Sequence, residues 1–412
     1  MSGPGAILTR NRDFRWLFGA ELVIFGGDWF VMIPLLGLLI KLTGGGLMGS
    51  LALAADTGIS ALLLPYTGTI ADRVDRRKIL VTANLSAVGA VGLLFFVQSG
   101  RTAWLGPVAV GAIAVAKAFA GPAAQAAIPN LVEPADLSAA TAMTSTAWGT
   151  MTVVGASLGG VLAAAVSPYT CFGITAVCLC AAAGLAYGVR RPMQAPRDHT
   201  VSPPRAIEAI RESLRYLRGE PRIRALITVK SAVGLGNGVL VVYPALALLL
   251  HAGSLGTGLL FAVRGAGALI GPFLLRGLIR RREGRLFWIL AGSMSTYGMA
   301  YLLISVTPWF PLILLLILCA HAAGAGNWAM SAAALQAAVP DALRGRVIAT
   351  DLMLVTIVIA SSQVMVGLFV DHAAPRLLVA VCGGVTVLYA LVWRLATARL
   401  ATGAEPADTL SS

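Results

Sequence analysis

Eight ionisable side chains lie inside long apolar stretches of this sequence, where electrical charge is poorly solvated. They are Glu21, Asp28, Asp56, Lys117, Lys230, Arg264, His321 and Asp351. A charged side chain at the centre of a bilayer costs at least ~2.5–3.5 kcal/mol on insertion scales, so each of them is a candidate functional residue. The chemistry indicated is proton exchange and recognition of polar groups on a solute.

Asp28 is the first candidate for a group that takes up and releases a proton, because it lies near the middle of its stretch after a Gly-Gly pair. The alternative is a structural carboxylate that caps a helix or neutralises a fixed cation. Glu21, about two helical turns earlier on the same face, could relay protons or mark the membrane edge. Asp56 could serve coupling or packing, and Lys117 could form a salt bridge to Asp28 or Asp56.

A second group of polar residues falls later in the chain and could face a bound solute. Lys230 and Asn237 share one helical face, His321 and Trp328 share another, and Arg264 lies among glycines. The alternative for each is a satisfied packing contact or a hydrogen bond between helices. The earlier group is mainly acidic and the later group mainly basic, which would suit amphipathic or zwitterionic molecules.

The stretches that carry these residues are long enough to cross a bilayer. Of 412 residues, 58% are hydrophobic and 12% are charged, which is more apolar surface than a globular core can bury. Each stretch reaches the roughly 20 residues that a spanning helix needs. The sequence predicts an all-α membrane protein whose twelve helices span residues 16–40, 47–70, 78–98, 104–128, 138–165, 169–188, 225–250, 255–279, 286–306, 310–338, 347–370 and 377–397.

The net charge of +13 follows an alternating pattern along the connections. Nine arginines lie in Arg190–Arg224 and five in Arg276–Arg285, whereas the opposite connections hold only Lys41, Arg101 and Arg376. By the positive-inside rule, both termini are cytoplasmic in a multi-pass protein of the inner (plasma) membrane. The charge is therefore a topology signal, and nucleic acid is not an expected partner.

One long polar connection divides the predicted helices six against six. The resulting units are a six-helix bundle at 1–188, a cytoplasmic linker at 189–224, a second bundle at 225–398 and a cytoplasmic tail at 399–412. Within the linker, apolar residues recur at helical spacing at Ile207, Ile210, Leu214 and Leu217. This spacing predicts an amphipathic helix on the cytoplasmic leaflet, and the alternative is a solvated linker helix.

Two short segments recur in corresponding places of the two halves. GTIADRVDRR at Gly68–Arg77 matches GLIRRREGRL at Gly277–Leu286, and AQAAIP at Ala124–Pro129 matches LQAAVP at Leu335–Pro340. Related halves are typical of transporters built from repeats, which carry the transport path between the halves.

GTIADRVDRR, between the second and third helices, resembles the signature GxxxDRxGRR of the major facilitator superfamily, with Asp75 where glycine is usual. The segments 11–29, 122–132 and 340–347 resemble the macrolide-efflux and enterobactin-exporter branch of drug:proton antiporters. GASLGG at Gly155–Gly160 resembles the antiporter signature GPxxGG without its proline. The resemblance implies the major facilitator fold, with two pseudo-symmetric six-helix halves.

The segment at 68–77 is interpreted as a gate, and the alternative is a purely topogenic basic loop. We expect Asp72 to face the N-terminal dipole of the eleventh helix, and the loop arginines to pair with Asp72, Glu133 or Asp136. We expect Asp351 to form a gating ion pair rather than to carry protons. The expected gating residues are Gly68, Asp72, Arg73, Arg76, Arg77 and Asp351.

The expected function is proton-coupled export of small amphipathic molecules, such as a drug, an antibiotic or a siderophore-like metabolite, by alternating access. Alternatives are a uniporter, importer or lysolipid carrier of the same fold, or a transporter-like membrane sensor. No GxSxG, HExxH, CxxC or GxxxxGK[ST] motif indicates an enzyme. No metal or cofactor is expected; the expected partners are the substrate, protons and membrane lipids, and the chain is expected to act as a monomer.

Overall fold

A computed structural model of the protein describes residues 4–194, 206–280, 286–398 and 400. In these ranges every regular element is a helix. The first half contains α1 to α8, with one 3-10 turn at Pro134–Asp136. These helices are α1 Pro4–Arg10, α2 Arg12–Gly27, α3 Trp29–Thr43, α4 Leu47–Arg73, α5 Arg76–Leu94, α6 Leu105–Leu131, α7 Leu137–Ala165 and α8 Pro168–Gly188.

The second half follows a linker helix, α9, and begins with three short helices in line. Together α10, α11 and α12 form the seventh spanning segment. The bounds are α9 Ala206–Gly219, α10 Pro221–Thr228, α11 Ser231–Gly236, α12 Val239–Leu249, α13 Gly253–Arg280, α14 Leu286–Val306, α15 Phe310–Ala338, α16 Asp341–Phe369 and α17 Pro375–Ala396.

The apolar helices confirm the predicted fold class. Within the described residues, ten helical stretches are long and apolar enough to cross a membrane. Two shorter apolar stretches, Leu47–Leu63 and Gly149–Ala165, belong to α4 and α7. These stretches fall at the twelve predicted positions, with ends that differ from the prediction by a few residues.

The first segment of each half is broken, which the sequence prediction did not anticipate. The first segment divides into α2 and α3 at Asp28, and the seventh divides on either side of α11, next to Lys230 and Asn237. Glycines near each break lower helix propensity there. Irregular backbone at membrane depth is tolerated where protein buries it or a cavity meets it. Both breaks therefore coincide with polar residues singled out in the sequence.

The two halves touch along two helix pairs, α7 with α13 and α4 with α16. At the first pair, Gly160 and Gly258 bring the backbones together: a Cβ on Gly258 would lie 2.6 Å from the Cα of Gly160. At the second pair, the Asp371 carboxylate accepts hydrogen bonds from the backbone N–H groups of Gly46 and Leu47. These contacts lie on the side of the molecule opposite the chain termini, so the halves are closed on that side.

Replacing Gly258 with valine should destabilise this conformation, because the new side chain meets the backbone of Gly160. Overpacking of this kind costs about 1–3 kcal/mol. We expect a lower melting temperature for the purified protein in detergent. Gly384→Val is the matched control, since a Cβ at Gly384 in α17 meets nothing within 4 Å. Equal melting temperatures for the two variants would contradict the close contact of α7 and α13.

Candidate functional site

A cavity of about 740 Å³ lies between the two halves. Its volume is in the range of sites that hold drug-sized molecules. The lining is mostly apolar and extends from the level of Asp28 toward the side of the termini, where Phe273 is 71% exposed. The polar and aromatic lining includes Asp28, Trp29, Asp56, Lys117, Asn237, Phe261, Arg264, His321, Trp328 and Gln363.

Lys117 in α6 lies between two carboxylates on the cavity wall of the first half. Its Nζ is 2.9 Å from Oδ2 of Asp28 and 3.3 Å from Oδ1 of Asp56. All three side chains are about one-third exposed, and all three line the cavity. The structure thus brings together the three residues for which the sequence suggested an ion pair. Two carboxylates share one ammonium group, so the cluster has a net charge of −1 when all three groups are ionised.

The glycines of GASLGG explain how the helix break at Asp28 is held in place. A Cβ on Gly155 would lie 2.8 Å from Cδ1 of Trp29, and a Cβ on Gly159 would lie 2.7 Å from the Trp29 carbonyl oxygen. Only residues without a side chain let α7 approach this point so closely. Ala156, at the position where the family signature has proline, is fully buried. The segment therefore supports the backbone next to Asp28 even without the proline.

Glu21 lies in α2, away from the cavity lining. It is buried, and the side-chain amide of Gln125 in α6 donates a hydrogen bond of 3.4 Å to its Oε1. The fragment AQAAIP, one of the two repeated segments, contributes this glutamine. The contact fixes Glu21 between α2 and α6, and its role as a proton relay stays a prediction.

Lys230 and Asp351 form an ion pair inside the second half, between the seventh and eleventh segments. Their side chains are 1% and 2% exposed, and Lys230 Nζ also lies 5.5 Å from the ring centroid of Trp328. Neither residue lines the cavity. Lys230 is thus not a cavity-facing group in this conformation, contrary to the sequence prediction, because its charge is neutralised by Asp351. Asp351 does form an ion pair, although within one half rather than across the two.

The other four predicted solute-facing residues, Asn237, Arg264, His321 and Trp328, do line the cavity. His321 belongs to a buried network that the sequence prediction missed. The Tyr301 hydroxyl is 2.8 Å from His321 Nε2 and 2.7 Å from the Tyr243 hydroxyl. The available signal was the presence of tyrosines in apolar helices, since a buried hydroxyl usually needs a partner.

Three of the predicted gating residues, Gly68, Asp72 and Arg73, lie outside the described side chains, as does most of the second copy at 277–286. Arg76 donates to the carbonyl oxygens of Ala126 and Met193, at 2.7 and 2.9 Å. These bonds tie the start of α5 to α6 and to the beginning of the linker.

The departure from the family signature at Asp75 has a local structural role. Its carboxylate accepts a hydrogen bond of 2.8 Å from the backbone N–H of Arg77 and so caps the N-terminus of α5. The Arg77 side chain reaches the carbonyl oxygens of Arg190 and Arg191, at 3.2 and 3.3 Å. Asp136, a suggested partner of the loop arginines, forms an ion pair of 2.9 Å with Arg10.

The predicted linker helix is present as α9, and it lies against both halves. It packs on α4 of the first half and on α16 of the second. Glu212 pairs with Arg346 at the start of α16, and Leu217 is buried. The side chains of Ile207 and Ile210 lie outside the described part.

Twelve apolar segments in two halves, arranged around a polar cavity, define a membrane transporter of the major facilitator superfamily. Within it, the chain belongs to the transmembrane secretion effector family, whose sequence profile matches residues 6–410. A relative is the enterobactin exporter EntS of Citrobacter koseri, which is 28% identical over 294 residues. That alignment covers 68% of this chain and 66% of the exporter, just under two thirds.

Solved structures of other transporters share the fold. A bacterial homologue of the human lysosomal transporter Spinster, in an inward-facing and unoccupied conformation, superposes with a TM-score of 0.72 at 16% identity, covering 96% of this chain and 99% of that one. An auto-inhibited peptide transporter of the POT family gives 0.73 at 12% identity, covering 97% and 99%. At these identities the likeness concerns the fold alone.

The buried pair of Lys230 and Asp351 predicts a characteristic pattern of stability changes. Lys230→Met alone should lower stability by about 3–5 kcal/mol, because it leaves Asp351 as an unpaired buried charge. The double variant Lys230→Met with Asp351→Leu removes both charges and should recover much of that loss. Melting of the purified protein in detergent checks this. Additive losses in the double variant would show that the two charges do not interact.

Proposed function

We propose that this protein exports small amphipathic molecules from the cell in exchange for protons. The observation that carries the proposal is the cluster of Asp28, Asp56 and Lys117 in the wall of the central cavity. Kinship with an enterobactin exporter supports the direction of transport. The mostly apolar lining, with polar groups on opposite walls, supports an amphipathic substrate.

The cluster links proton binding to substrate binding through its net charge. An unneutralised charge is costly to enclose between the halves. A proton on Asp28 or Asp56 neutralises the cluster, and a hydrogen-bond donor or positive group on the substrate can take the same place. Because only one of the two is needed, the empty return step carries a proton and the export step carries substrate.

The membrane potential can drive this exchange. Moving one proton inward across ~100 mV supplies ~2.3 kcal/mol. Since about 1.4 kcal/mol corresponds to a tenfold concentration ratio, one proton supports a roughly fiftyfold substrate gradient. A single titrating cluster is therefore sufficient for useful accumulation outside the cell.

The proposed orientation follows from the positive-inside pattern, with both termini in the cytoplasm of an inner-membrane protein. The halves are closed on the side away from the termini, by the contacts of α7 with α13 and by Asp371. In that orientation the cavity faces the cytoplasm and is ready to receive substrate. Export then requires the outer contacts to open and the cytoplasmic ends, including the loop at 68–77, to close.

Asp28→Asn should abolish proton movement driven by substrate, because asparagine cannot take up a proton. The measurement uses inverted membrane vesicles with a pH-sensitive dye during addition of candidate substrates, with transport followed separately. We expect at least a tenfold loss of proton flux, while counterflow exchange of labelled and unlabelled substrate continues.

Glu220→Gln is the matched control, since it neutralises an exposed carboxylate outside the cavity. Its proton flux should equal that of the wild type. Substrate-driven proton release that persists in Asp28→Asn would refute the role of Asp28. Transport of substrate with no proton response in the wild type would replace antiport with uniport.

Asp72→Asn should slow transport while leaving membrane insertion intact, because an amide interacts more weakly than a carboxylate with the positive end of a helix dipole. An effect of about 0.3–1 kcal/mol corresponds to a rate change of roughly two- to fivefold. Asp75→Asn is the matched control in the same loop, where asparagine is also a good N-cap. Unchanged transport in Asp72→Asn would remove this residue from the gate.

A further inference from the structure

The cavity wall of the second half carries a positive charge without a counter-charge. Arg264 in α13 lines the cavity, and in the described part of the chain its side chain makes no hydrogen bond or ion pair. Its Nε is buried and unpartnered. Lys117 and Lys230, the two lysines in comparable positions, each contact at least one carboxylate. Arg264 is thus the exception among the intramembrane cations described by the structure.

No carboxylate of the described cavity lining is free to neutralise Arg264. The two lining carboxylates are Asp28 and Asp56, and both are bound to Lys117. Keeping an unpaired guanidinium in such a place is costly unless a ligand compensates for it. The fixed fork of donors on a guanidinium suits carboxylate, sulfonate and phosphate groups.

The surroundings of Arg264 add hydroxyl donors rather than competing anions. Arg264 is close enough to act electrostatically on Tyr243, Tyr297, Tyr301 and His321. The Tyr297 hydroxyl is buried without a partner. An oxyanion near Arg264 would find neutral hydrogen-bond donors and no carboxylate on the same wall.

Aromatic side chains supply an apolar surface in the same cavity. Phe261, one turn before Arg264 on α13, lies 5.4 Å from the ring of Trp29 across the two halves. Trp328 and Phe273 also line the cavity. Flat apolar groups pack well on such rings, so the second half combines a cation with aromatic surface.

Building on the export function proposed above, we propose that Arg264 binds an anionic group of the exported molecule. The substrates are then amphipathic acids, whose apolar part packs among Phe261, Phe273 and Trp328. The acidic group lies on the wall of the second half, opposite the proton-binding cluster of the first half. A substrate that also carries a donor or a positive group would contact both walls.

Two probes of nearly equal shape test this assignment, 1-naphthoate and its neutral counterpart 1-naphthamide. Their binding to the full-length purified protein in lipid nanodiscs is measured by isothermal titration calorimetry. We expect the wild type to bind naphthoate about tenfold or more tightly than naphthamide, since hydrogen bonds to charged groups are the stronger ones. Arg264→Gln should bind both probes equally and keep the wild-type affinity for naphthamide.

Two further variants separate a charge effect from a folding defect. Arg264→Lys keeps the positive charge and should retain part of the preference for naphthoate. Arg101→Gln removes an exposed arginine far from the cavity and should leave the preference unchanged. If Arg264→Gln fails to bind naphthamide, the comparison of wild type with Arg264→Lys still decides the matter, since a charge-dependent site requires a preference in both.

Equal wild-type affinity for the two probes, no detectable naphthoate binding, or a preference that persists in Arg264→Gln would overturn the proposal. A cation that only pairs with protein groups in another conformation would give one of these results. The outcome is separate from that of the export function. An Arg264-dependent preference without any substrate-driven proton flux would contradict the antiport proposal and leave the anion site standing.

Discussion

Charge neutralisation in a medium that solvates ions poorly is the constraint on which this structure depends. Each intramembrane charge has to be paired, exposed to a water-filled space or left for a ligand. Lys117 is paired twice, with Asp28 and Asp56, and still leaves a deficit of one positive charge. Lys230 and Asp351 neutralise each other inside the second half. The positions left unbalanced, the cluster around Lys117 and the lone Arg264, are both on the cavity surface.

The helix breaks and the close helix contacts can be understood as support for those unbalanced positions. The first segment breaks at Asp28, and Gly155 and Gly159 allow α7 to pack on Trp29 immediately after it. Glycine at these places lowers helix propensity and adds no side-chain contacts. What it provides is a defined backbone position for a carboxylate that would otherwise lie on a flexible interruption. The same helix, α7, uses Gly160 to meet the second half.

The fold could be predicted from the sequence because its main signal is the length of apolar runs, which is a one-dimensional property. The breaks at Asp28 and around Ser231–Gly236 could not, because the runs stay apolar across them. The residues of the site were identified by their cost in lipid, but their partners were harder to foresee. Lys230 and Asp351 are 121 positions apart, and only the packing of the seventh segment on the eleventh shows that they neutralise each other. Arg264 acquires its meaning by the same route, since being unpaired is a property of the whole cavity.

The linker helix α9 also affects the energetics of the conformational cycle. It packs on α4 and α16 at once and is joined to the latter by Glu212 and Arg346. Any rotation that changes the distance between those two helices must strip α9 from at least one of them. The loss is the same whichever solute occupies the cavity, so the linker sets a common activation threshold. Exporters with identical cavities and different linkers would share their selectivity and differ in their turnover rate.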